Sequence, residues 1–195
     1  FIGSALVEVL LERGHGVRII DIAPSRRRPE LWTAADVRDR AALRRACEGC
    51  EVLYNLAAEH RDDVRPRERY HQVNGEGARH SCSLATFGLS RLDASAVAVY
   101  GLPAGEADGA APLRPFNPYG RTKLAAEQAY RGWAEAAAGR SLTIVRPTVV
   151  FGPGNRGNVY LLLRRIAQGP AVIIGSGRNR KAVAYVANVA AVLAN

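Results

Sequence analysis

A tyrosine and a lysine stand four residues apart in the stretch FNPYGRTKLAAEQ at 116–128, where the pattern predicts the start of a helix. Residues at i and i+4 share one helix face, so the Tyr119 phenol and the Lys123 ammonium lie one turn apart. A free phenol has a pKa of about 10 and is a poor base at neutral pH, but a nearby cation lowers that pKa. The pair therefore suits proton transfer to or from an alcohol. Such pairs also occur by chance on helix surfaces, so the pair alone does not establish a catalytic site.

Helical and strand patterns alternate along the chain that carries this pair. Helices are predicted at SALVEVLLERG, DRAALRRACEG, about 70–88, YGRTKLAAEQAYRGWAEAAAG and VYLLLRRIAQG. Strands are predicted at GVRIID, EVLYNLAA, SAVAVYG, LTIVRP and AVIIG. This alternation predicts an α/β fold with a Rossmann-type, doubly wound parallel sheet. Ligands bind such sheets beyond the carboxyl ends of the strands.

The beginning of the chain has the spacing of a dinucleotide site. Gly3 opens an amphipathic helix, and Asp21 ends a strand 18 residues later, which matches the second half of the fingerprint. The free N–H groups of the helix start would bind a pyrophosphate, and the carboxylate would bind the adenosine ribose. A carboxylate repels a 2'-phosphate and favours NAD over NADP, although the arginines at 26–28 weaken that preference.

Composition and charge exclude several other classes of protein. The net charge is +9, but the arginines are scattered and lack the aromatic interleaving of a single-strand binder, so nucleic acid is not an expected partner. No apolar run of about 18 residues and no signal peptide is present, so no membrane partner is expected. Three cysteines form neither a disulfide framework nor a metal-ligand set. The sequence therefore predicts a cytoplasmic protein without a bound metal.

Nine segments in order give a more specific indication. They are FIG, RIID, DVRD, NLAAEH, VNGEG, AVYG, NPYGRTKLAAEQ, VRPTVVFGPGN and GSGRNRKAVAYVANVA. With these segments, the whole chain resembles an extended short-chain dehydrogenase/reductase of the nucleotide-sugar epimerase/dehydratase group, typified by UDP-glucose 4-epimerase.

The resemblance implies a bound NAD and a nucleotide-sugar substrate. Tyr119 would be the acid/base, and Lys123 would lower its pKa and bind the nicotinamide ribose. Besides Tyr119 and Lys123, the implied cofactor-binding residues are Phe1, Ile2, Gly3, Asp21, Asp36, Val37, Leu56, Ala57, Ala58, Asn74 and Pro147, with Asn55 on the same path. The implied substrate-binding residues are Glu59, Asn158, Arg178 and Lys181.

A third catalytic partner is missing from its usual position. Relatives place a serine or threonine five residues before the glycine of VYG, and that position is Ala96. The neighbouring hydroxyl belongs to Ser95, which alternation along a strand directs to the opposite face. A bulge or a shift of one residue would bring Ser95 into the site, and Asp93 in a strand that should be apolar indicates such an irregularity. Ser95 is therefore the third catalytic candidate.

The reaction class follows from a further departure. The 4,6-dehydratases carry an Asp–Glu pair directly after the strand hydroxyl, and this chain has Val97 and Ala98 there. Dehydration is disfavoured, which leaves epimerisation, with C4 of a UDP-hexose as the leading expectation. A reductase or dehydratase of the same family, or a catalytically impaired NAD-binding fragment, remains an alternative.

The expected organisation is that of an incomplete enzyme. Residues 1–150 would form an NAD-binding Rossmann domain without its first strand, and residues 151–195 would form part of a nucleotide-sugar-binding segment. A homodimer through the helices at about 70–88 and 118–138 is possible. The identity of the sugar is not readable from the sequence.

Overall fold

The computed structural model describes residues 1–61, 63–84, 91–93 (backbone only), 96–102, 105, 107–169, 176–178 and 180–195. The chain forms two compact units. We call residues 17–146 the central unit, and residues 1–16 together with 147–195 the terminal unit. The predicted domain division at residue 150 stays a prediction.

The central unit alternates short strands with helices. Its strands are β1 (Ile19–Asp21), β2 (Trp32–Ala34), β3 (Val52–Tyr54), β4 (Arg91–Asp93) and β5 (Ser141–Thr143). Its helices are α2 (Arg40–Ala46), α3 (Glu68–Tyr70), α4 (Gly77–Cys82) and α5 (Pro118–Glu135). The segments Pro29–Leu31 and Val97–Tyr100 form 3-10 turns.

Parallel pairing links these strands in two groups. β1 pairs with β2, and β4 lies between β3 and β5. In the second group, Tyr54, Asp93 and Thr143 are aligned across the three strands. The carboxyl ends of β3, β4 and β5 therefore lie side by side, and the loops that follow them begin at one edge.

The core of the central unit lies between its helices and strands. Its buried residues are Leu43, Cys47, Ala78, Leu84, Ala126, Tyr130 and Trp133, with Ile20, Leu53 and Leu142 packed against them. Helices α2, α4 and α5 and strands β1, β3 and β5 thus share one apolar core. This core holds α5 in place.

The helix predicted for about 70–88 is observed as a compound element. α3 continues through a π-helical segment, His71–Glu76, into α4. Segments with this wider winding occur often at functional sites, because they redirect one side chain within a helix. Here the segment contains Asn74, one of the predicted site residues.

The strand predicted at SAVAVYG is wrong in position. The strand lies earlier, at Arg91–Asp93, and Val97–Tyr100 forms a 3-10 turn. The turn ends at Gly101, which has φ +72° and where an added Cβ would lie 2.0 Å from the carbonyl oxygen of Arg114. The apolar run that suggested a buried strand instead packs as a turn, with Val99 and Tyr100 buried.

The terminal unit has its own small core. It contains α1 (Ile2–Glu12), β6 (Val149–Phe151), α6 (Asn158–Ala167), β7 (Val183–Tyr185) and α7 (Val186–Leu193), with β6 and β7 paired in parallel. Helices α1 and α7 bury Leu6, Val7, Leu10, Val189 and Leu193. The strand predicted at AVIIG lies outside the described residues. Among the helices of the described ranges, none has the length and apolar character required to span a bilayer.

Candidate functional site

The start of α5 positions the tyrosine of the predicted pair. Asn117 caps the helix, because its side-chain oxygen accepts a hydrogen bond of 2.8 Å from the N–H of Gly120. A Cβ at Gly120 would lie 2.5 Å from the carbonyl oxygen of Ala98. Only glycine therefore lets the 97–100 turn pack against the helix next to Tyr119. No local sequence pattern indicates this role of Gly120.

Lys123 is almost fully buried, with 5% of its surface exposed. Burial lowers its pKa to about 8, while the charge of Glu127 one turn further along opposes that effect. A group with a pKa of about 8 is still largely protonated at neutral pH. Among the described residues, none accepts a hydrogen bond from the Lys123 ammonium, so its three N–H donors suit a bound polar molecule.

The pKa of Tyr119 differs from the expected direction. Burial raises the pKa of the phenol, whereas the sequence analysis expected Lys123 to lower it. Desolvation disfavours the phenolate form of Tyr119. Loss of its proton therefore requires more positive charge near the phenol than the unliganded protein provides, such as the charge of an oxidised nicotinamide. The acidification of Tyr119 stays a prediction for the cofactor-bound protein.

A buried ion pair between Arg146 and Glu127 lies one helical turn beyond Lys123. Arg146 donates two hydrogen bonds to the Glu127 carboxylate, from Nε at 2.8 Å and from Nη2 at 2.6 Å. It also donates a bond of 2.7 Å to the Tyr100 hydroxyl, and its guanidinium lies 5.0 Å from the centre of that ring. Glu127 has only 1% of its surface exposed. The pair thus joins α5 and the end of the 97–100 turn to the segment that follows β5.

Asn74 connects two of the predicted site segments. Its side-chain oxygen accepts a bond of 2.9 Å from the N–H of Glu59, and its Nδ2 donates to the Glu59 carbonyl and to Thr122 Oγ1, each at 3.0 Å. Thr122 in turn donates to the carbonyl of Tyr119. The buried amide therefore fixes the loop after β3 against the first turn of α5. This agrees with a supporting role in the site but leaves no side-chain atom of Asn74 unbonded.

The loop after β3 holds the remaining predicted contacts. Asn55 donates to the hydroxyl of Tyr130 at 2.7 Å and accepts a bond from the N–H of Ala57. Leu56 and Ala57 are exposed, and Ala58 is partly exposed. The Glu59 carboxylate pairs with Arg69 at 2.9 Å, a partner that sequence reasoning missed. The loop is thus anchored at both ends and open in the middle, which suits a backbone path along a cofactor.

Two acidic residues lie at the carboxyl ends of β1 and β2: Asp21 is the last residue of β1, and Asp36 follows β2. The Asp21 carboxylate is exposed and accepts a bond from the N–H of Ala23. Asp36 is held by Arg38, whose guanidinium lies 2.6 Å from it and lowers the pKa of the carboxyl. Val37 directs its carbonyl oxygen to His80 Nδ1 at 2.8 Å, and a Cβ at Gly77 would lie 2.9 Å from its side chain.

A cavity of about 440 Å³ lies at this position. The residues that line it are all polar or charged by type: Asp36, Arg38, Asp39, Gln72, Glu76 and His80. Hydrogen-bond donors and acceptors at a cleft beyond β2 suit the polar edge of an adenosine. The predicted contacts Asp36 and Val37 belong to this region, whereas Arg38, Gln72 and His80 were not predicted.

The third catalytic position is only partly described. Ser95 lies outside the described residues. Ala96 has extended backbone, with φ −159° and ψ 150°, and begins the 97–100 turn. The described backbone therefore leaves β4 at Asp93 and reaches Ala96 just before a turn that packs on α5.

The terminal unit contains the other predicted contacts. Phe1 precedes α1 without a side-chain cap, so the N–H groups of Ile2 and Gly3 are not taken by one. Pro147 precedes Thr148, whose Oγ1 is buried without a hydrogen-bond partner in the described part of the chain. Asn158 begins α6.

Arg178 and Lys181 are exposed and precede β7. They keep the charge and accessibility required to bind a diphosphate.

Within each compact unit considered separately, these features suit parts of an NAD molecule. The uncapped start of α1 suits a pyrophosphate, the Asp21 carboxylate suits a ribose, and the polar cleft at Asp36 suits an adenine. The N–H donors of the buried Lys123 would suit a second ribose. Burial raises the pKa of the Cys47 and Cys82 thiols to about 11 and keeps both protonated, so neither is a candidate nucleophile.

Comparison with known proteins gives a family and several relatives. The model of the NAD dependent epimerase/dehydratase family matches residues 1–194. An Escherichia coli O157:H7 protein, N-acetyl-alpha-D-glucosaminyl-diphospho-ditrans,octacis-undecaprenol 4-epimerase, is 43% identical over 97% of this chain and 58% of its own length. The human sterol-4-alpha-carboxylate 3-dehydrogenase, decarboxylating, is 26% identical over 97% of this chain and 52% of its own length. The chain thus spans little more than half of either relative.

Solved structures share the fold. The Thermus thermophilus UDP-glucose 4-epimerase in complex with NAD has a TM-score of 0.82 and 25% identity, covering 100% of this chain and 70% of that one. MoeE5 in complex with UDP-glucuronic acid and NAD has a TM-score of 0.82 and 27% identity, covering 99% of this chain and 67% of that one.

Proposed function

The chain belongs to the NAD dependent epimerase/dehydratase family. We propose that it acts in an enzyme that inverts the configuration at C4 of a sugar carried on a diphosphate. The family and the Rossmann-type fold, both predicted from the sequence, are confirmed. The 43% identity to a 4-epimerase supports the choice of reaction. The choice of NAD over NADP follows from the exposed Asp21 carboxylate, which repels a 2'-phosphate.

The burial of Lys123 one turn from Tyr119 carries this proposal. A lysine that remains protonated inside the protein offers a fixed positive charge to a phenolate. Tyr119 takes the proton of the C4 hydroxyl and later returns it to the oxygen of the keto sugar. A bound NAD would supply the acceptor and donor of the C4 hydride. Lys123 would hold its nicotinamide ribose through the ammonium N–H donors.

The missing hydroxyl at Ala96 limits the rate. In this arrangement the substrate oxygen has Tyr119 as its acid/base but lacks an orienting hydroxyl at position 96. One orienting hydrogen bond contributes roughly 1–3 kcal/mol. We therefore expect slow turnover unless Ser95 supplies that bond.

Two carriers of the sugar fit the diphosphate contacts. A nucleotide carrier is favoured by the structural neighbours, one of which is a UDP-glucose 4-epimerase. A polyprenol carrier is favoured by the 43% identical relative, whose name specifies an undecaprenol diphosphate sugar. Asn158, Arg178 and Lys181 would hold the diphosphate in either case, because guanidinium and ammonium groups pair with phosphate oxygens.

Titration and turnover assays test the proposal. Calorimetry measures the affinity of the 195-residue chain for NAD and for NADP. Incubation with UDP-glucose, UDP-N-acetylglucosamine and undecaprenyl-diphospho-N-acetylglucosamine then measures C4 inversion. Tyr119→Phe should lower turnover by about 10²- to 10⁴-fold and leave NAD affinity nearly unchanged.

Tyr160→Phe, on the exposed helix α6, is the matched control and should behave as wild type. Full turnover in Tyr119→Phe would exclude Tyr119 as the acid/base. NAD binding without turnover of any of the three sugars would favour the impaired NAD-binding protein. The cytoplasmic location and the homodimer stay predictions.

A further inference from the structure

Helix α5 places three titratable side chains in a row along one face. Tyr119, Lys123 and Glu127 follow one another at intervals of four residues, so each lies one turn beyond the previous one. Lys123 has 5% and Glu127 has 1% of its surface exposed. The row therefore carries a buried cation between the candidate acid/base and a buried anion.

The carboxylate of Glu127 is held in one orientation by two hydrogen bonds. Arg146 donates from Nε to Oε1 at 2.8 Å and from Nη2 to Oε2 at 2.6 Å. The Nη1 of the same guanidinium donates to the hydroxyl of Tyr100, at the end of the turn that packs on α5. Paired hydrogen bonds from a guanidinium keep a carboxylate ionised. Glu127 is thus a negative charge of defined position, one helical turn from Lys123.

The segments 68–82 and 97–100, which pack against α5, contain other titratable groups. Among the described residues, these groups have partners of their own or lie in solvent: Glu68, Arg69, Tyr70, His71, Glu76, Arg79, His80, Cys82 and Tyr100. Burial lowers the pKa of Lys123, and within the described part of the chain the charge that raises it is that of Glu127. The charged form of Lys123 therefore depends on Glu127.

We propose that Glu127 is a positioning residue of the reaction, because its carboxylate, held by Arg146, keeps the Lys123 ammonium charged and in place next to Tyr119. This role rests on the proposed function and adds a third member to its Tyr–Lys pair. Without the carboxylate, desolvation would favour the neutral amine of Lys123. Tyr119 would then lose the positive charge that stabilises its phenolate.

The lysine content of the chain allows a direct test. Lys123 and Lys181 are its only lysines. A protein labelled with ¹³C at the lysine Cε therefore gives two lysine resonances, and Lys181→Arg assigns them. NMR titration without NAD or substrate measures the midpoint of each ammonium. We expect a midpoint of about 8 for Lys123 in the wild type. In Glu127→Gln, which keeps the side-chain shape and removes the charge, it should fall to about 7 or below.

Two further variants separate the charge of Glu127 from its part in folding. Glu127→Leu with Arg146→Met leaves no unpaired buried charge, and the Lys123 midpoint should again fall below that of wild type. Arg146→Gln instead removes the cation that shares the carboxylate, so the midpoint should rise by about half a pH unit or more. A purely structural ion pair would not move the midpoint in opposite directions.

The same helix offers a matched control. Glu135 is exposed in the last turn of α5, twelve residues beyond Lys123. Glu135→Gln removes one negative charge of the helix and should leave the Lys123 midpoint unchanged. A shift equal to that of Glu127→Gln would overturn the inference, because the midpoint would then follow net charge. An unshifted midpoint in both Glu127 variants, with folding verified by circular dichroism, would also overturn it.

The pH dependence of turnover connects the titration with the reaction. On the alkaline side, kcat/KM for C4 inversion should fall with the pKa of Lys123 in the free enzyme, and Glu127→Gln should move this limb to lower pH by the same amount as the midpoint. A shifted midpoint with an unmoved alkaline limb would exclude the positioning role. A wild type that inverts no sugar but shows the shifted midpoints would count against the proposed function, while the dependence of Lys123 on Glu127 would stand.

Discussion

Helices α5 and α6 distribute their side chains in opposite ways, and each departs from the usual arrangement. α5 buries two charged residues, Lys123 and Glu127, whereas α6 exposes Leu162 and Leu163. In α5 the departure is compensated inside the protein, because Arg146 forms an ion pair with Glu127. In α6 the apolar stripe formed by Val159, Leu162, Leu163 and Ile166 is not covered by any of the described residues.

Comparing the two helices helps to decide whether a buried charge or an exposed apolar residue serves structure or function. Burying a charge is costly unless the charge is paired. Glu127 is paired directly with Arg146. Among the described residues, Lys123 is stabilised only by the charge of Glu127, one helical turn away. A lysine kept buried at such cost suggests a catalytic use. An exposed apolar stripe costs the isolated protein little and suggests binding.

The largest expected effect comes from breaking the ion pair of α5. Arg146→Met leaves the Glu127 carboxylate buried without its guanidinium, and should lower the free energy of unfolding by about 3–5 kcal/mol. Urea denaturation measures the loss. Adding Glu127→Leu should restore most of the stability, since the unpaired charge is removed.

An exposed ion pair provides the control for this change. Arg61 and Asp63 are 2.9 Å apart, with 70% and 68% of their side-chain surfaces exposed. Arg61→Met should leave the free energy of unfolding nearly unchanged, because solvent screens an exposed pair. Equal losses in the two arginine variants would contradict the importance of burial.

The next effect concerns Lys123 and pH. Its pKa in the folded protein is about 8, below its ordinary value of 10.5, so the unfolded chain binds more protons between these values. The free energy of unfolding therefore gains from this residue as pH rises from about 8 to 10.5, by about 3 kcal/mol.

Lys123→Met should remove that gain and should be the more stable protein at pH 7. Urea denaturation at several pH values compares it with wild type. Identical pH dependence of the two proteins would show that Lys123 is hydrated or paired in solution. Lys181→Met, at an exposed lysine, should leave the pH dependence unchanged.

A smaller gain is expected from restoring the missing hydroxyl. Ala96→Ser should raise epimerase turnover by roughly tenfold, because one orienting hydrogen bond contributes about 1–3 kcal/mol. NAD affinity should stay within about twofold. Ala98→Ser, within the 97–100 turn, should give no gain, and equal rates for both variants would place the orienting group elsewhere.

The smallest effect is expected on the exposed face of α6. Leu162→Ala should lower the free energy of unfolding by less than about 0.5 kcal/mol, because the side chain is mostly exposed. Leu43→Ala, in the core, should cost about 2–5 kcal/mol. Urea denaturation compares the two. A core-like cost for Leu162 would mean that the stripe is covered in solution.

Local patterns predicted most helices, but they misplaced the strand at SAVAVYG and did not predict β6, β7 or α7. The helix at Pro118–Glu135 follows from its cap, its proline and its apolar spacing, all of which act over a few residues. The run at 97–100 has the apolar character of a strand, yet it forms a turn because Gly101 and Gly120 allow close backbone contacts. Those contacts involve Arg114 and Ala98, which no local pattern connects to the run.

The candidate site, like the fold, was predicted only in part from the sequence. Tyr119 and Lys123 were found because their spacing is fixed by the helix repeat. The roles of Arg69, Thr122 and Arg146 were not predicted, because the sequence around an arginine or threonine does not indicate which distant residue it will contact. Asn74 was found only through the resemblance to a family.

The sequence by itself determined the fold family, the Tyr–Lys pair and the apolar stripe of α6, since each is encoded in residues that are neighbours along the chain or in ordered motifs. Only the tertiary structure decided which charges are paired and which apolar faces are covered. Glu127 and Arg146 are 19 residues apart, and Asn74 and Thr122 are 48 apart. Such partners meet because the core packs their elements together, and burial is a property of that packing.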